Sequence, residues 1–96
     1  MEYEELIKIS DPYKVYIKFK EIYPCDSHIA ISTRKNKKYI IYNPEKDKWF
    51  HFGSSNYSDY TKHQDQQRRI TFLIRNQRWA QADMYSAAYS SYYLLW

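Results

Sequence analysis

The sequence predicts an α+β fold, a small antiparallel β-sheet of about four strands followed by two C-terminal α-helices. Three observations lead there. Between Tyr13 and Phe52, short runs of β-branched and aromatic residues alternate with turn residues, a period of two. From Thr61 onward apolar residues recur every three or four positions, the period of a helix. The 96 residues hold no linker, repeat or low-complexity tract, so they read as one domain, strand-rich over 1–53 and helical over 54–96.

Tyr13, Val15, Ile17 and Phe19 share one face of the first predicted strand, with Lys14, Tyr16, Lys18 and Lys20 on the other. Pro24-Cys25-Asp26-Ser27 reads as a turn, and His28 to Thr33 as a second strand with Ile29 and Ile31 on one face. The charged run from Arg34 to Lys38 is a solvated loop, and Tyr39 to Tyr42 is a third strand, apolar on both faces. Asn43 to Asp47 carries turn chemistry, because proline presets φ while Asn and Asp side chains bond nearby backbone. Lys48 to Phe52 completes a hairpin that Gly53 ends. As the only glycine, Gly53 marks a positive φ or a close approach of another group.

In the second half, Thr61-Lys62-His63-Gln64 fits a capping box, with Asp59 and Asp65 as rival caps. The helix that follows, Lys62 to Trp79, places Ile70, Leu73, Ile74 and Gln77 on one stripe, flanked by Phe72 and Trp79. Arg68, Arg69, Arg75 and Arg78 fill much of the remainder. Asp83 then caps a last helix, Met84 to Leu95, on which Tyr85, Tyr89, Tyr92 and Trp96 form an aromatic stripe. Ala87, Ala88 and Ser91 give it a face of small residues for close packing.

Composition narrows the function classes. Aromatic content is 20%, including 12 tyrosines, which supply large contact area at low entropy cost and recur at protein interfaces. A formal charge of +4 is too modest for a DNA-condensing protein. The single Cys25 excludes an internal disulfide and fits a reducing compartment. The acidic start, Met1 to Glu5, lacks an apolar core, so no secretory signal is expected. Tyr85 to Trp96 is too short and serine-broken to span a bilayer.

One stretch resembles a known family. His51-Phe52-Gly53-Ser54-Ser55, Tyr57-Ser58-Asp59-Tyr60-Thr61-Lys62-His63, then Asp65, Arg68, Arg69 and Arg75, and a terminal Leu94-Leu95-Trp96 are similar to a short domain of large double-stranded DNA viruses of eukaryotes. The resemblance covers Lys38 to Trp96. It implies a viral context, and so a virion component or an accessory protein of infection found in the virion or the host-cell cytoplasm. Two departures stand out: Arg75-Asn76 where the family has Arg-His, and Ala87-Ala88-Tyr89 where it has Gly-Phe-Trp. Loss of that histidine argues against catalysis or metal binding at this point.

The candidate sites sort by chemistry. His51, Asp59, His63 and Asp65 have ligand character for zinc or iron, but they lack helical H-E-x-x-H spacing or paired cysteines. Cys25 with His28 is no nucleophile–base motif, and a lone glycine makes no phosphate-cradling loop, so no catalytic, metal or cofactor residue is assigned. Gly53, Asp59, Thr61 and Asp65 are read as turn and cap residues. Tyr85, Tyr89, Tyr92 and Trp96 are the expected partner-binding stripe. The expected role is a minor, capsid-associated structural protein contacting other viral structural proteins such as the coat protein. The alternative is a nucleic-acid-binding accessory protein using Arg34, Lys35, Lys37, Lys38, Arg68, Arg69, Arg75 and Arg78.

Overall fold

In the computed structural model, which describes residues 1–96, Pro12–Ile22 is a helix and not the strand its alternation predicts. Asp11 starts it by accepting from the amides of Tyr13 and Lys14, and Pro12 occupies the first turn, where its missing N–H costs nothing. Val15 and Phe19 within the alternating run, and Ile22 just beyond it, fit a helical period. Tertiary packing selects between the two. Val15 and Phe19 are buried, whereas Tyr13 and Ile17 are exposed. This is α2; α1 is a single turn, Tyr3–Leu6, that sends Leu6 into the core.

The sheet has three strands, not four, in the order β1 (Ile29–Ile31), β2 (Lys37–Asn43), β3 (Lys48–Ser54), all antiparallel. Tyr39 faces Phe52 across β2 and β3, and Ile41 faces Phe50. In the connecting turn Asn43 Oδ1 accepts from the Glu45 amide, and Asp47 takes a positive φ of 51°. Gly53 lies within β3, one residue before its end.

The helical part is more broken than two long helices. α3 is Tyr60–His63, capped by the Asp59 side chain bonding the Thr61 amide. Gln64 then turns left-handed, at φ 56°, and Asp65 restarts the chain as α4, Gln66–Arg75, by bonding the amides of Gln67 and Arg68. The predicted Lys62–Trp79 helix is thereby split. A 3-10 turn, Gln77–Gln81, follows. The last helix begins later than predicted: Asp83 bonds the Tyr85 amide, and Ser86 caps α5, Ala87–Ser90. α5 runs on into a π-helical turn, Ser91–Leu95.

That C-terminal segment packs against both β3 and α2. Its Leu94 and Leu95 join Leu6, Val15, Phe19, Ile41 and Phe52 in the core. Tyr23 anchors it by bonding both Ser90 Oγ at 2.7 Å and the Met84 carbonyl at 2.8 Å. No helix is long and apolar enough to cross a membrane.

Candidate functional site

β2 brings Lys38 under the C-terminal segment, where its ammonium meets the Asp59 carboxylate at 3.1 Å. Their side chains are 3% and 0% exposed. Burial pulls the lysine below its ordinary pKa, and the Asp59 charge pulls it back up. The other Asp59 oxygen takes the Thr61 amide and hydroxyl, and Thr61 Oγ1 also accepts the Asp11 amide at 2.9 Å. Ser10 Oγ links Thr61 Oγ1 to the Tyr39 hydroxyl, completing a buried polar network that joins the end of the α1 segment to β2 and α3. Every charge in it is matched, as a buried network requires.

Gly53 explains how the lysine fits. Its φ is +82°, and a Cβ there would come within 2.9 Å of Leu95 Cδ1 and 3.2 Å of Lys38 Cβ. Both expected uses of the glycine occur at once.

α4 sits at the edge of this arrangement and has no buried residue. Phe72 stacks on Trp96 at 4.4 Å between ring centres and 9° between planes. Arg69 donates from Nε to the Trp96 carbonyl at 2.7 Å and lies over the Tyr60 ring. Ile70 and Ile74 are 49% and 64% exposed. Another side of α4 borders a groove of about 670 Å³, shared with Gly53, Ser54 and Tyr57.

The predicted site residues scatter. Tyr85, Tyr89 and Trp96 are half-buried against the core, Tyr85 with a 2.7 Å bond to Ser27, and Tyr92 is half-buried against Tyr93. Lys38 corrects the basic set, because a buried, paired ammonium is no phosphate contact. Arg69 is likewise committed. Arg34, Lys35 and Arg78 are exposed, Lys37 is half-buried, and Arg68 and Arg75 line the groove. Thr61 is not the cap of its helix; the rival Asp59 is.

The four metal candidates do not converge. His51 Nδ1 bonds Ser32 Oγ at 2.8 Å, Asp59 pairs with Lys38, and His63 Nδ1 accepts the Asp65 amide at 2.9 Å. No group of three or more His, Cys, Asp or Glu side chains is placed to hold a metal ion. Burial lowers the pKa of His63, with Arg68 adding to it, and His63 Nε2 is buried without a partner.

Sequence reasoning missed two things. The Asp11-Pro12 pair announces α2, because a capping residue followed by proline is a helix start. Nothing local announces the Lys38–Asp59 pair, whose members are 21 residues apart.

No curated protein and no solved structure matches the chain significantly. A family match spans residues 27–76, from Ser27 through β1, β2, β3, α3 and α4. That stretch holds both members of the buried ion pair, Gly53 and the whole of the arginine-bearing helix, and it exceeds half of the 96 residues. The chain belongs to DUF5754, a family of unknown function.

Proposed function

We propose that this protein is a non-catalytic interaction protein, a minor structural component that binds larger coat subunits of a virus particle. One observation carries the contact: α4 exposes Ile70 and Ile74, one turn apart, on a helix that buries none of its own residues. An amphipathic helix whose apolar stripe faces water is ordinarily completed by a partner. The viral setting rests on the resemblance of His51–His63 and Leu94-Leu95-Trp96 to domains of large DNA viruses.

The surface differs from the sequence expectation. Tyr85, Tyr89 and Trp96 are half-buried against the core, whereas Ile70 and Ile74 are more exposed, so this reading places the contact on α4.

A mass-spectrometric inventory of purified particles tests the role. The protein should be present at a fixed ratio to coat protein, and its absence from washed particles overturns the structural reading. A double variant, I70E with I74E, should remain folded and lose association with coat protein. Undiminished association would move the contact away from α4.

A further inference from the structure

We propose that the groove beside α4 is a binding site for a short stretch of single-stranded nucleic acid. It goes beyond the coat-contact reading and uses a different side of the helix, since neither Ile70 nor Ile74 lines the groove.

The arginines of α4 meet different fates. Arg69 is spent inside the protein, on the Trp96 carbonyl and the Tyr60 ring. Arg68 and Arg75 line the groove, and neither guanidinium bonds any protein group; the one ion pair in the structure is Lys38–Asp59. They stand seven residues apart on one helix, so their Cα atoms are about 10 Å apart along the axis. Two unneutralised cations on one wall form a site for two negative charges carried on one chain, as phosphates are on a strand.

The other lining groups favour nucleotides over carboxylates. Tyr57 is 65% exposed and Trp79 half-buried, both on the groove, so planar faces are available beside the cations. Aromatic rings next to phosphate-binding arginines are what unpaired bases stack upon, without regard to sequence. A duplex hides those base faces, so the groove selects single strands. Gln67, also on the wall, has no side-chain partner within the protein and offers both a donor and an acceptor to base edges. A volume of about 670 Å³ lies in the range of sites that enclose a compact ligand, so the groove takes a short segment and the strand continues outside it.

Fluorescence anisotropy with the full chain tests this at low salt. The labelled probes are a short oligothymidylate, an oligouridylate of equal length, a DNA duplex of equal length and an oligoglutamate peptide. The single strands should bind, with the two of them separating DNA from RNA preference, and the duplex and peptide should bind at least about tenfold more weakly. R68A and R75A should each weaken binding about five- to tenfold and reduce the salt slope by about 0.7. Y57A should weaken it about fivefold or more with the salt slope unchanged, as stacking requires. A K35A variant, away from the groove, should change affinity by less than about twofold. All four positions are exposed, so thermal melts should superimpose on wild type and exclude misfolding. Absence of single-strand binding at low salt overturns the proposal, as does equal binding of the oligoglutamate peptide or a K35A effect matching that of R68A. None of these results bears on the Ile70–Ile74 contact, which I70E/I74E reads separately.

Discussion

The two apolar stripes of the second half, one on α4 and one on the C-terminal segment, look alike in sequence and meet opposite fates. Tyr85, Tyr89 and Trp96 are half-buried against a core that holds their neighbours Leu94 and Leu95, while Ile70 and Ile74 face water. Periodicity defines a face, but which face is covered depends on what the chain brings opposite it. The C-terminal segment finds both β3 and α2; α4 rests chiefly on the Phe72–Trp96 stack and the Arg69 bond. Stability therefore concentrates beneath the C-terminal segment, and free binding capacity concentrates on α4.

Breaking the charge pair beneath the C-terminal segment should cost most. Lys38→Met leaves Asp59 buried without its cation, and urea unfolding should show a loss of about 3–5 kcal/mol. A loss below about 1 kcal/mol would mean that water reaches the pair. Leu95→Ala comes next, at about 2–5 kcal/mol for a fully buried leucine, whereas Ile74→Ala on α4 should stay within about 0.5 kcal/mol. Equal costs for the two would erase the contrast between the stripes.

Gly53→Ala should destabilise by about 1–3 kcal/mol, since it adds backbone strain at φ +82° and a contact with Leu95 too close to keep. A neutral result would show that the C-terminal segment can shift. On α4 itself, Arg69→Ala should cost about 1 kcal/mol and Arg68→Ala almost nothing, because only Arg69 bonds the protein. Comparison of their melting temperatures checks it.

The smallest effect concerns pH. His51 and His63 both have pKa values below the ordinary 6.5, each chiefly through burial, so the unfolded chain takes up their protons first as pH falls. Their contribution is complete above that pH and is lost as acidification passes through 6.5 toward the folded values. Protonation of His63 also has a local consequence: its Nδ1 accepts the Asp65 amide, and the charged ring turns that acceptor into a donor at the start of α4. Melting temperature should therefore drop between about pH 7.5 and 5.5, and by less in His63→Gln. An identical drop in the variant would remove His63 from the account.

Much of the middle of the fold was legible locally. The turns at Pro24–Ser27 and Asn43–Asp47, the β2–β3 hairpin and the helix starts at Asp59 and Asp65 depend on residues a few positions apart. The failures share a cause. Tyr13 to Lys20 fits two periods at once, and burial of Val15 and Phe19 decides for the helix. Lys38 ended a basic run and read as solvated, but a distant carboxylate and the absence of a side chain at Gly53 make room for it inside.

By itself, then, the sequence determined the mixed class, the hairpin, Asp59 and Asp65 as candidate caps and the presence of an arginine-bearing amphipathic helix. Each of these follows from near neighbours and backbone preference. Only the tertiary structure decided which cations are free and which apolar stripe is exposed. Those outcomes depend on long-range pairings, such as Lys38 with Asp59 and Arg69 with Trp96, because desolvation is set by everything that packs around a group.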